Sequence, residues 1–463
     1  MGHPCRNTPF FVWAFFKSQR KGNGAMESKG QAGKTGALDS GMQDAQDSAR
    51  KAADRVDGKR RSLLQGGALV AGSGMLGMLP GGAWAAGSDK PEKEEVKIGF
   101  IPLTDCASVV MASVLGFDKK YGIKIVPSKE ASWAGVRDKL TNGELDAAHV
   151  LYGLIYGVQL GIGGQKKDMA VLMGLNHNGQ AITLSKKLAD KGAVDGASLY
   201  KLMQTDKREY TFAQTFPTGT HAMWLYYWMA ANGINPMKDA KVITVPPPQM
   251  LATCGWATWM ASAWANPGPS RHRRWRGHHR ITTQDIWKDH PEKVLGTSLE
   301  FVQKYPNTCR AMMAAILEAS KWIDASLANK NKMAEVIADK SYVNTSKDVI
   351  DQRILGRYQN GLGKTWDDPN YMKFYDEGQV NFPFLSDGMW FMTQHRRWGL
   401  LKSDPDYLAV AKSVNQIDLY KDAATMTKTP LPKDVMRSSK LMDGTVWDGK
   451  NPAAYAQAFK IKV

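Results

Sequence analysis

From residue 97 the chain repeats one unit: a short apolar run, then a segment of helical period. Residues 97–102 (KIGFIP), 123–127, 147–150, 169–175 and 181–185 read as strands, and 108–117, 132–140 and 152–160 as helices. Strands separated by helices of about ten residues pair side by side through crossovers, which predicts a parallel sheet and the α/β class. Ser132 stands where an N-cap belongs. A charged helix-and-loop region over 186–209 leads into TFAQTFPTGTHAMWLYYWMA (211–230). That stretch is an apolar strand, a Pro-Thr-Gly-Thr-His turn and an aromatic helix that stops at Asn232-Gly233. A hydroxyl, an imidazole and free backbone N–H groups at the positive end of a helix dipole suit a small anion. The plainer reading is a strand–helix turn with a capping threonine. A strand over 241–245 and the triple proline 246–248 follow. From residue 283 helices are expected over 299–305, 308–327, 332–340, 347–356, 372–382, 387–398 and 407–414, with a polar, irregular tail over 420–463.

The chain of 463 residues carries a formal net charge of +17. Residues 1–86 hold 12 basic and 6 acidic side chains, and residues 253–281 hold 5 Arg and no acid. The basic balance is thus partly a property of two segments, weak as a sign of nucleic-acid binding and modest as a sign of an anionic ligand. Cys5, Cys106, Cys254 and Cys309 form no CxxC pair, which predicts neither a disulfide framework nor a zinc site. No Ser/His/Asp set, paired carboxylates or metal cluster stands out, so an enzyme, a cofactor and catalytic or metal-ligating residues are not expected.

Residues 1–58 are rich in Gly, Ala, Ser, Gln and Asp without apolar period and read as a disordered leader, with Met26 or Met42 as alternative starts. Residues 59–86 open with Lys59-Arg60-Arg61, continue through a Gly/Ala/Leu/Met run and close on Ala83-Trp84-Ala85. This resembles a twin-arginine export signal with its cleavage site. A single membrane anchor is the alternative. Export implies a periplasmic protein without access to ATP, NAD or nucleic acid.

Residues 95–463 resemble the substrate-binding proteins of nitrate/bicarbonate ABC transporters. The resemblance is carried in order by KIGFIPLTDCASVVMASVLGFDKKYGI, EASWAGVRDKL, GLNHNGQAITLS, TFPTGTHAMWLYYWMAANGINP, VITVPPPQM, HPEKVLGTSLEFVQKYP and LGRYQNGLG. It implies the two-lobed periplasmic-binding-protein fold (type II), with two crossover strands near 181–185 and 294–297 and a helical C-terminal extension. Lobe 1 would comprise 87–183 and 294–463, and lobe 2 residues 184–293. The implied function is capture of nitrate or nitrite for an inner-membrane ABC permease with a cytoplasmic ATPase, with no nucleic-acid partner. Alternatives are a nitrate sensor that regulates a partner protein, or a binder of bicarbonate or another small oxyanion. The implied ligand-binding residues are Trp133, Gln180, Gly219, Thr220, His221, Pro247 and Lys293. Nitrate members have a lysine where Lys293 stands and bicarbonate members an acidic residue, so Lys293 favours nitrate.

Residues 251–280 (LATCGWATWMASAWANPGPSRHRRWRGHHR) depart from that pattern. Codons permitted from Thr253 onward, shifted by two nucleotides, allow Met-Arg-Val-Gly-Asn-Met-Asp-Gly-Phe-Gly-Val-Gly-Glu-Pro-Trp, which matches the family's own continuation. Residues 251–281 are therefore expected to be a compensated frameshift. Five arginines in place of a buried strand would put the segment outside and leave the second lobe's sheet incomplete.

Overall fold

The computed structural model describes residues 89–253, 260–262, 277–360 and 362–463. The expected leader over 1–58 and export signal over 59–86 lie outside the described residues, as does most of the 251–281 window.

Two five-stranded sheets organise the chain. The first contains β1 (Glu95–Phe100), β2 (Lys124–Lys129), β3 (Ala147–Leu151) and β4 (Met169–His177). The second contains β5 (Ala181–Ser185), β6 (Thr211–Gln214), β7 (Lys241–Thr244), β8 (Met260–Ser262) and β9 (Gly277–Thr282). Strand β10 (Pro291–Ser298) returns to the first sheet. The orders are β2-β1-β3-β10-β4 and β7-β6-β8-β5-β9. In both, the first three strands pair in parallel, and the fourth place is taken by an antiparallel strand that has just arrived from the other sheet. Each sheet is thus pinned by the chain of its sister, and the path between them is crossed twice.

The crossings occupy residues 178–180 and 283–290. The expected boundaries at 183/184 and 293/294 fall inside hydrogen-bonded strands, because Thr183 pairs within the second sheet and Lys293 within the first. Lys293 is therefore a first-sheet residue. The second sheet is also complete in strand number: β8 pairs antiparallel with β5 and parallel with β6, so the expectation of a missing strand is not met.

Helices cover both sheets: α1 (Ala107–Val114), α2 (Trp133–Asn142), α3 (Tyr152–Gln159), α4 (Thr220–Ala231), α5 (Pro306–Asp324), α6 (Lys347–Ile354) and α7 (Leu385–Arg397). Ser132 caps α2 by accepting the Gly135 amide at 3.1 Å. Helix α4 is apolar all round and buried over its first ten residues, as a helix covered on every side must be. The second lobe's turn approaches α3 very closely. A Cβ on Gly153 would stand 2.3 Å from the Thr218 carbonyl oxygen, and one on Gly157 2.5 Å from the Thr218 hydroxyl. Only glycine at these two positions lets the 216–218 turn lie on the helix of the first sheet.

Two helical expectations fail. Residues 372–382 are turns: Asp376, Glu377 and Gly378 all have positive φ (46°, 51° and 83°), which a right-handed helix excludes. Their conformation is held from outside, with the Phe374 and Tyr375 amides donating to Asp324 at 2.7 and 2.8 Å. The tail is more regular than its composition suggests, with helices Ile417–Thr427 and Pro452–Ala458 and a short hairpin between them. Trp447 and Phe459 anchor it by burial.

This extension joins the two halves. Trp390 of α7 stacks on Trp224 of α4 at 4.6 Å and meets Trp287 of the second crossing edge-on at 5.3 Å. Arg437 donates to Asp387 at 2.7 Å and to the carbonyl of Asp289 in the same crossing at 2.9 Å, while the Tyr227 hydroxyl donates to Asp443 at 2.9 Å.

Candidate functional site

The carboxyl ends of parallel strands are where α/β folds place their loops and their ligands. Here the turn after β1 supplies Asp105, the middle of β3 supplies His149, and the start of α2 supplies Trp133. Antiparallel β10 enters among them with Glu292 and Lys293. Adjacent strand residues normally point to opposite faces, but the pairing of β10 with β4 is irregular between Pro291 and Lys293. That irregularity lets both side chains reach the same cluster.

Lys293 is fully buried and its ammonium pairs with Glu292 Oε1 and with Asp105 Oδ2, the latter at 3.1 Å. Asp105 Oδ1 lies 2.7 Å from His149 Nε2. Arg353 of α6 places Nη2 3.9 Å from Asp105 Oδ2. From the second sheet's side, the Thr220 hydroxyl donates to Glu292 Oε1 at 3.1 Å and the Trp224 indole to Glu292 Oε2 at 3.4 Å. Gln180 Nε2, in the first crossing, donates to the Thr220 hydroxyl oxygen at 3.4 Å. Trp133 closes the other side, with its ring 5.6 Å from the Lys293 ammonium and 5.7 Å from the His149 ring.

The expected residues fall into place unevenly. Trp133, Gln180, Thr220 and Lys293 meet in this one buried cluster. Gly219 is the N-cap of α4. His221 is buried one residue further on, with Nδ1 2.9 Å from the Thr215 hydroxyl. When Thr215 is the donor, Nε2 carries the imidazole proton. Pro247 is buried and opens the helix Pro247–Thr253. Sequence reasoning missed Asp105, His149, Glu292, Trp224 and Arg353. All but His149 and Arg353 lie inside the segments quoted for the family resemblance, and Glu292 directly precedes Lys293.

The electrostatics are those of a dry site. Burial pushes the Asp105 carboxyl up, but Lys293, His149 and Arg353 outweigh it and hold the group well below the usual carboxylate range. Burial also raises Glu292; Lys293 pulls it down while Asp105 pushes it further up, and the net shift is upward. Burial depresses His149 and takes His221 well below the ordinary histidine value, with the Lys293 charge adding to the effect at His221. Both imidazoles are thus neutral. Because Asp105 is an ionised acceptor, neutral His149 donates to it from Nε2.

Several buried polar atoms have no hydrogen-bond partner among the described residues: Trp133 Nε1, Gln180 Oε1, and Nε and Nη1 of Arg353. Buried polar groups are nearly always paired, so the unpaired Trp133 and Arg353 donors beside two cations mark a place built for an acceptor. No group of three or more His, Cys, Asp or Glu able to hold a metal occurs among the described residues. Cys106 is buried, and burial raises its thiol far above the ordinary value, so it is no nucleophile. What the arrangement can do is bind a small anion.

Residues 89–338 match the NMT1-like family. The chain is 35% identical over 392 residues to the nitrate/nitrite binding protein NrtA of Synechocystis sp., an alignment covering 81% of this chain and 87% of the relative. It is 29% identical over 403 residues to the bicarbonate-binding protein CmpA of Synechococcus elongatus, covering 82% and 89%. Its structure resembles the crystal structure of the periplasmic nitrate-binding protein NrtA from Synechocystis, with a TM-score of 0.75 and 33% identity over 80% of this chain and 100% of that one. A ligand-binding component of an ABC-type import system from Staphylococcus aureus, at TM-score 0.54 and 18% identity over 72% of this chain and 99% of that one, shares the fold. The crossed pair of sheets is accordingly the periplasmic-binding-protein fold, and the chain belongs to the NMT1-like family.

Proposed function

We propose that the chain is the substrate-binding component of an ABC transporter, capturing nitrate or nitrite and delivering it to a membrane permease powered by an ATPase. The observation that carries this reading is the buried convergence of Lys293, the Trp133 ring with its unpartnered indole N–H at the start of α2, and Thr220 at the start of α4. A planar monoanion there meets an ammonium, an indole donor, the Thr220 hydroxyl and the end of a helix dipole, each favouring negative charge. The relatives support it, since NrtA of Synechocystis sp. is named for nitrate and nitrite. We assign Trp133, Gln180, Gly219, Thr220, His221, Pro247 and Lys293 to the ligand. The two sheets are the cores of two lobes, and ligand binding favours their closed arrangement.

Calorimetric titration of the purified protein with nitrate, nitrite and bicarbonate tests this. Nitrate or nitrite should bind and bicarbonate should not; binding of bicarbonate alone would remove the argument from Lys293. Bicarbonate is the second reading, because its hydroxyl could donate to Asp105 or Glu292 and because CmpA of Synechococcus elongatus is named for it. The periplasmic NrtA of Synechocystis and the twin-arginine pattern support a periplasmic location. Exchanging Arg60 and Arg61 for lysine should leave the protein in the cytoplasmic fraction, and continued export would refute that signal.

A further inference from the structure

The anion site described above already holds an anion of its own. Glu292 is a planar carboxylate, fully buried, and it accepts from Lys293, from the Thr220 hydroxyl and from the Trp224 indole. Lys293 and Thr220 are two of the donors assigned to the external anion. The Lys293 ammonium is in turn shared with Asp105 at 3.1 Å, so two carboxylates face one ammonium. A third negative charge cannot enter this arrangement without cost. Like charges at contact distance in a dry site are not all kept ionised, and the usual relief is that one of them takes a proton.

We propose that Glu292 is a resident competitor of the transported anion: the anion enters by exchange, taking the place of the Glu292 carboxylate on Lys293 and Thr220, while Glu292 takes up a proton. The charge balances. One anion and one proton enter from solution, the Lys293 ammonium changes partner, and Glu292 becomes a neutral acid that can donate a hydrogen bond. Asp105 is unsuited to this role. His149, Arg353 and Lys293 all stabilise its ionised form, whereas Glu292 has Lys293 as its only cationic partner at hydrogen-bond distance among the described residues. The charged and titratable groups around Glu292 come from every neighbouring element: His290 and Lys293 beside it in sequence, Asp105 from the turn after β1, His149 from β3, His221 from α4 and Arg353 from α6. The histidines are buried, and burial lowers each of them below the ordinary imidazole value. Burial already raises Glu292, and an external anion beside it raises it further, so affinity falls as pH rises and proton uptake grows over the same interval.

This inference rests on the nitrate reading, and the experiment separates the two. Potassium nitrate is titrated into the full-length protein at pH 6 and pH 8, each in two buffers of different ionisation enthalpy, to count protons. Wild type should take up a larger fraction of a proton at pH 8 than at pH 6, approaching one, and should bind more weakly at pH 8. Glu292→Gln keeps the shape, removes the competing charge and should bind nitrate about tenfold more tightly at pH 8 with no proton uptake. The proton count in wild type needs no variant and stands even if Glu292→Gln folds poorly. Binding without proton uptake at both pH values overturns the exchange and leaves the nitrate reading intact. Weaker binding by a folded Glu292→Gln protein also overturns it, and makes Glu292 a support for Lys293. Absence of any nitrate or nitrite binding in wild type overturns both.

Discussion

Replacing Lys293 by methionine isolates the charge at the centre of the site. The side chains are similar in volume, so the substitution leaves the packing and removes the ammonium. Lys293, Glu292 and Asp105 are at most 1% exposed. Removing one partner from a buried ion pair costs about 3–5 kcal/mol, because the remaining charge is stranded in a dry environment. Asp105 would keep His149 and Arg353, so its share of the loss is small, whereas Glu292 would keep only the neutral donors Thr220 and Trp224. The expected loss is therefore at the lower end, about 3 kcal/mol at pH 8. The pH dependence has a definite sign. In wild type the depressed Asp105 contributes stability above its unfolded value that is lost as pH falls. In the variant Glu292 is raised still further above its unfolded value, a penalty that grows with pH. The difference between the two proteins should thus shrink steadily from pH 8 to pH 5. Urea unfolding followed by tryptophan fluorescence measures it at each pH. A loss below about 1 kcal/mol at pH 8, or a loss independent of pH, would show that the cluster is not the buried, charge-coupled site described here.

The other perturbations act on separate parts of the argument. Trp133→Phe deletes the unpartnered N–H together with one ring of the buried indole; nitrate affinity of the folded variant should fall about tenfold, since a hydrogen bond to an anion is worth about 1.5 kcal/mol or more. Unchanged affinity in the folded variant would mean that the indole serves the fold alone. Trp390→Ala removes the ring stacked on Trp224 and should cost about 3–5 kcal/mol in unfolding free energy. An unperturbed unfolding curve would refute the stapling role of α7. Across 251–281, installing the alternative-frame residues should raise the melting temperature by about 5 °C or more, because it restores the family's apolar residues around the three-residue strand Met260–Ser262. A lower melting temperature would refute the frameshift, as would resequencing of this gene that finds one clean frame with no nearby insertion or deletion relative to close relatives.

The alternation of strands and helices was legible because each sheet is built from local units whose period survives in the residues. The two antiparallel insertions were not. Nothing in 291–298 announces that this strand pairs back between β3 and β4, 114 to 148 residues earlier in the chain, so the second boundary was drawn through a strand. The site was half legible. Trp133, Gln180, Thr220 and Lys293 came from family resemblance, and the structure brings them together. Asp105, Glu292 and Arg353 read as ordinary solvated charges until three-dimensional packing buries them, and the irregular pairing that turns Glu292 toward Lys293 is a property of two strands together. At 372–382 composition misled, since Asp376 and Glu377 are unremarkable in a helix, and the Asp324 carboxylate, the Asn381 side chain and the Lys373–His177 bridge hold the chain in turns there.

The tryptophan group described above also makes the molecule its own optical gauge. Trp224 belongs to a helix of the second sheet, Trp287 to the second crossing, and Trp390 to the C-terminal extension, with centroids 4.6 to 5.9 Å apart. Indoles at such separations share excitation, and the sign and strength of the resulting near-ultraviolet dichroism follow their mutual angles, 27° for one pair and 65° and 87° for the others. A rotation of one sheet relative to the other turns Trp224 against Trp390. The spectrum should then change on adding ligand, at wavelengths where nitrate at low concentration contributes no comparable band.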